Sequence, residues 1–124
     1  MNRNILAFAT ALVTVSAQAE VVDIKWNGDG QFGHAAEVRA GGFLEACGKM
    51  PSGLAIDWTF TSSAPLESNV HFHEGKQVIY PARHAAAASV TDRLTVSTEQ
   101  DYCWMWSNRT PRPIQVNVQL VKAK

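Results

Sequence analysis

The chain has 124 residues, 46% of them apolar and 18% charged, with 11 Lys and Arg balancing 11 Asp and Glu. That length suits one domain built around a single core. A neutral balance with no basic run removes the electrostatic case for nucleic acid or an anionic membrane as partner.

Residues 1–19 have the layout of a secretory signal peptide. Arg3 gives a basic start, Ile5 to Val15 form a mostly apolar run, and Ala17-Gln18-Ala19 reads as a small-x-small cleavage site before Glu20. The run is short for a membrane span, an uncleaved amphipathic helix being the alternative, and no later segment is apolar for long enough. The predicted mature chain, residues 20–124, is one soluble domain in the periplasm or secreted, without a transmembrane segment.

Val21 to Trp26 predicts a first strand and the glycine-rich stretch from Asn27 to Gly33 a loop. After Cys47, Lys49-Met50-Pro51-Ser52-Gly53 reads as a turn. Leu54, Ile56, Trp58 and Phe60 then alternate with Asp57, Thr59 and Thr61, the period of two of a half-buried strand. Ser62 to Pro65 breaks that pattern. Val70 and Phe72 alternate with Asn69, His71 and His73 up to a turn at Glu74-Gly75-Lys76. Val78 and Tyr80 continue until Pro81. His84 to Ser89, holding the Ala85 to Ala88 run, is the one helical candidate, too short to stand alone. Leu94 and Val96 form the next strand.

In "DYCWMWSN", Tyr102, Trp104 and Trp106 share one face of a strand, and Cys103 and Met105 the other. Both sets are apolar, which predicts a central strand covered on each side or edged by a loop. Ile114, Val116, Val118 and Leu120 give the clearest strand, following an Asn108-Arg109-Thr110 triplet that fits a loop better than a glycosylation site. Many short strands at regular spacing predict an all-β fold, an antiparallel β-sandwich or barrel. Two cysteines in an oxidising compartment point to one disulfide, with free thiols or a thiolate metal site as the alternatives.

A cysteine before "KMPSG", the strand "LAIDWTF", the hairpin "VHFHEGKQVIYP", then "DYCWMWSN" and "PIQVNVQL" together resemble the GOLD domain. That domain is the lumenal β-sandwich of cargo-transport proteins in the early secretory pathway. The likeness runs from about Glu37 to Val121 and matches Tyr102, Cys103, Trp104 and Asn108 to a "Y-x-x-C-F-x-N"-like strand. It implies an eight-stranded jelly-roll sandwich with a Cys47–Cys103 bridge. The coiled coil, membrane span and sorting tail of that family find no counterpart before Lys124, so a bacterial periplasmic version fits better and cargo transport does not carry over.

His71-x-His73 is the sharpest site candidate. Residues i and i+2 of a strand share a face, and two imidazoles there can hold copper or zinc. Met105 or Met50 would add a soft thioether favouring copper, with Glu74, His34 and His84 as outlying donors. Trp104, Trp106 and Tyr80 are the candidates for a ligand or partner surface. Nucleophile-elbow and zinc-helix motifs are absent. The expectation is therefore a non-enzymatic binding module for a protein or small ligand, without a required cofactor. A periplasmic copper- or zinc-binding protein and a structural accessory domain of an envelope assembly are the alternatives.

Overall fold

The computed structural model describes residues 19–123. The predicted leader falls outside them except for Ala19, which opens the first strand. The described residues form seven strands and no helix: β1 (Ala19–Asp23), β2 (Gln31–Val38), β3 (Phe43–Met50), β4 (Ala55–Glu74), β5 (Gln77–Thr95), β6 (Gln100–Ser107) and β7 (Ile114–Lys122). All pairings are antiparallel except β1 on β3.

Two strands are long enough to serve two layers. The first half of β4 pairs with β7, and the second half pairs with β6. β5 follows β4 along its other side throughout. The sheet therefore curls on itself. One end is a four-stranded layer, β2–β7–β4–β5, and the other a five-stranded layer, β1–β3–β6–β4–β5. The seven strands fill nine positions in the two layers, because β4 and β5 each count twice, against the eight strands of the expected jelly roll.

The corner lies at Ser62 to Pro65. There β4 carries more residues than β5 between the pairs Thr61–Ser89 and Leu66–Ala87, a bulge that bends the strand without ending it. Serine hydroxyls replace the lost ladder bonds: Ser62 Oγ donates to Ala64 O at 2.7 Å, and Gln115 N donates to Ser63 Oγ at 2.9 Å. The expected break is thus a bend. At the far end Gly75, with φ of +60°, closes the tight turn into β5.

β5 corrects two expectations. The Ala85 to Ala88 stretch is strand, because each residue is paired or adjacent to pairing with β4, which outweighs alanine's high helix propensity in so short a run. Nor does Pro81 stop the strand. It sits in another bulge, the last of three register shifts in the β4–β5 ladder, between the pairs Val70–Ala82 and Phe72–Ile79, on an edge strand where the missing N–H costs no ladder bond.

Even-numbered side chains face inward on both halves of β4, and the core joins the layers. Trp58, Phe60, Trp104, Trp106, Leu120 and Val70 are all at most 1% exposed, and Phe60 meets Trp106 edge to face at 6.1 Å. The indole N–H groups of Trp58, Trp104 and Trp106 have no hydrogen-bond partner among the described residues. Burying one large ring gains about 4–6 kcal/mol from its area, more than the roughly 1–3 kcal/mol lost on an unpaired donor. Packing wins. Replacing Trp104 by Ala is expected to lower the unfolding free energy in urea by about 3–5 kcal/mol, against less than about 0.5 kcal/mol for Val21→Ala at the exposed edge.

Candidate functional site

With even residues of β4 and β6 inside, the odd ones form the outer face of the five-stranded layer. Pairing places Cys47, Cys103 and His71 side by side across β3, β6 and β4, and Glu45, Met105 and Asn69 in the row beside them. Arg83 of β5 stands opposite Asn69. Tyr80, thrown outward by the Pro81 bulge, is 41% exposed, and the Arg83 guanidinium lies 3.7 Å over its ring. A shallow groove of about 460 Å³ runs past Tyr80, Arg83, Asn69 and Met105.

Cys47 and Cys103 are bonded, their Cα atoms 4.1 Å apart as directly opposed residues. Closing a loop of 56 residues stabilises the fold by about 4 kcal/mol in the chain-entropy model. The bridge lies on the outer face and not within the core. β6 is central between β3 and β4, as expected, but among the described residues no further layer covers its Cys103–Met105 side, and both residues are part-exposed.

His71 is the one buried titratable residue of this face, 5% exposed. Its Nε2 lies 3.0 Å from Glu45 Oε1 and its Nδ1 2.7 Å from Asn69 Oδ1. The rings of His73 and Tyr80 cover it at 5.5 and 5.8 Å. Burial lowers its pKa from the usual 6.5, against the opposing pull of the Glu45 carboxylate and with a smaller push from His73.

The predicted surface residues divide. Tyr80 is exposed on the outer face, whereas Trp104 and Trp106 are fully buried and pack the core. Their faces were read correctly, but the side of β6 that meets solvent is the cysteine side. The predicted metal donors divide too. His71 and His73 are neighbours, but His71 already spends both ring nitrogens, and His73 is exposed. Met105 shares their face, while Met50 points into the core. His34 pairs with Glu20 and His84 with Asp92 elsewhere. Glu74 is exposed at the end of β4.

Sequence reading missed Glu45, Asn69 and Arg83. Glu45 reaches His71 only through the β3–β6–β4 register, for which nothing local signals. Asn108 is 1% exposed, and its Nδ2 donates to Val38 O at 3.0 Å and Arg112 O at 2.7 Å. It shapes the β6–β7 loop, as the loop reading of its triplet expected.

No family model matches the chain, and no curated protein matches it in sequence. Solved structures match its fold. The periplasmic g-type lysozyme inhibitor PliG of Aeromonas hydrophila superposes with a TM-score of 0.71 at 10% identity, over 87% of this chain and 100% of that one. A mutant of the Escherichia coli PliG gives 0.58 at 10% identity, over 86% of this chain and 100% of that one. The pre-peptidase C-terminal domain of a Bacillus anthracis collagenase gives 0.60 at 10% identity, over 85% and 96%. These likenesses establish the all-β fold; the disulfide is read from this chain alone. The narrower GOLD resemblance is not among them.

The lowered His71 pKa has a sign that can be tested. Below about pH 6.5 the unfolded chain takes up a proton that folded His71 resists, so stability is present above that pH and lost as pH falls toward the folded value. The groups facing the ring are Glu45, His73, Tyr80 with Arg83 above it, and the bonded Cys103. Melting curves followed by circular dichroism are expected to show the wild-type midpoint falling more steeply from pH 7 to 5 than that of His71→Gln. Parallel curves would contradict the assignment.

Proposed function

We propose that the chain is a non-catalytic, exported binding module that holds a protein partner on the outer face of its five-stranded layer. The observation that carries this is the Tyr80–Arg83 stack, standing exposed on a face that also presents Met105, Val21 and Val78. Tyr, Met and Arg are the residues over-represented at the centres of protein interfaces. The outer face of the four-stranded layer instead carries Thr59, Thr61, Gln115, Asn117 and Gln119, and its exposed Arg93 is held by Asp57 and not stacked on an aromatic ring. Two ion pairs on the proposed face, His71–Glu45 and Arg109–Glu67, hold four of its titratable side chains, and Cys103 is bonded; that favours recognition over catalysis.

The likeness to PliG supports a finer reading: the location is the periplasm and the partner a g-type lysozyme. The exposed Arg83 fits it chemically, since glycoside hydrolases work with carboxyl groups in an open cleft. A structural accessory domain is the second reading, favoured by the likeness to a domain of a collagenase.

The purified mature chain, added to a g-type lysozyme acting on cell-wall substrate, is expected to slow lysis at a one-to-one ratio. Tyr80→Ala and Arg83→Ala should each weaken inhibition about tenfold or more, the loss of roughly 1.4 kcal/mol or more. An unchanged lysis rate, with no complex on gel filtration, would exclude the lysozyme and leave the accessory-domain reading.

A further inference from the structure

We propose that reduction of the Cys47–Cys103 disulfide converts this part of the outer face into a site for a divalent transition metal of the zinc class. Its ligands are the two cysteine thiolates, His71 and Glu45. The inference does not depend on the identity of the protein partner.

Among the described residues, the donor atoms of Glu45, His71 and Cys103 already lie within 4.8 Å of one another. Cys47 Sγ is bonded to Cys103 Sγ but stands outside that group of three, and becomes the fourth ligand only by turning in once the bond opens. A tetrahedral zinc with ligands at about 2.0–2.3 Å separates them by roughly 3.3–3.8 Å, so the group of three needs only small adjustments, while the two sulfurs must move apart once the S–S bond is released. Three strands of one rigid layer carry the four residues, with Glu45 and Cys47 two apart on β3. Two thiolates, an imidazole and a carboxylate form a donor set that zinc accepts.

The setting of His71 supports the same conclusion. A neutral imidazole has one N–H. Given to Glu45, it requires the Asn69 amide to turn its NH2 toward Nδ1. Given instead to Asn69 Oδ1, 2.7 Å away, it leaves the Nε2 lone pair facing the Glu45 carboxylate at 3.0 Å. A metal ion between Nε2 and Glu45 satisfies both contacts at once. Nδ1–H then donates to Asn69, the outer hydrogen bond that orients a metal-bound histidine.

The chemistry balances. A dithiol reductant passes two electrons and two protons to the bridge; the S–S bond breaks, two thiols form, and the reductant leaves as its own disulfide. The divalent ion then displaces both thiol protons to solvent as the two metal–sulfur bonds form. While the bridge is closed, its sulfurs are not thiolates and the set has only two donors. The disulfide is therefore the gate.

Co(II) is the probe, titrated without oxygen into protein reduced by dithiothreitol and freed of it by desalting, with circular dichroism followed in parallel. Expected are one equivalent bound per reduced chain with a thiolate-to-cobalt charge-transfer band, no such band in the oxidised chain, and at least tenfold weaker binding in reduced His71→Ala and Glu45→Ala. Met105→Ala should bind as wild type. Binding by reduced His71→Ala and Glu45→Ala as tight as that of the reduced wild type, or a folded reduced chain that takes up no Co(II), would overturn the proposal. So would a reduced chain that loses its strand signal and does not regain it with Co(II).

Discussion

β4 is hydrogen-bonded to β7 through its first half, to β6 through its second and to β5 along nearly its whole length, and the remaining structure depends on that sharing. A strand that belongs to both layers must keep one face inward on either side of its bend. The bulge at Ser62 to Pro65 does this: Ile56, Trp58 and Phe60 before it and Leu66, Val70 and Phe72 after it all enter one core. Had the bend shifted the phase by one residue, His71 and His73 would have entered the core while Val70 and Phe72 faced water.

The outer face follows from that phase. Once Trp104 and Trp106 are committed to the interior, Cys103 and Met105 must face outward, and the β3 register brings Cys47 and Glu45 beside them. His71 is then buried from outside the sandwich, by Tyr80 and His73, and not by the core. The bulge at Pro81 places Tyr80 where it both covers His71 and offers its other side, with Arg83, to solvent. Recognition and redox-gated metal binding, as proposed, share one face because one bulge serves both.

Much of this was legible in the chain. The alternation in 54–60 and 114–120, the Gly75 turn and the two faces of "DYCWMWSN" are local signals, and local signals survive folding. The cysteine pairing was legible from compartment and count. What could not be read was which face of β6 meets a second layer, since tryptophans and a cysteine–methionine pair are both apolar. Alanines of edge strand β5 looked helical because their partner strand lies beyond any local window. Glu45 was invisible as a partner of His71, because only two successive strand registers join them.

Everything rests on the partition between the core and the outer face, and the chain contains its own controls. Tyr80 is 41% exposed and Tyr102 1%, and the three core tryptophans contrast with part-buried Trp26. Hydroxyl-radical footprinting of the oxidised protein, read residue by residue by mass spectrometry, reports all six side chains at once. Rapid oxidation of Tyr80 and Trp26 with protection of Tyr102, Trp58, Trp104 and Trp106 is the predicted pattern. Oxidation of Trp104 and Trp106 as fast as Tyr80 would contradict it, because the face here assigned to the core would then be the face that meets solvent.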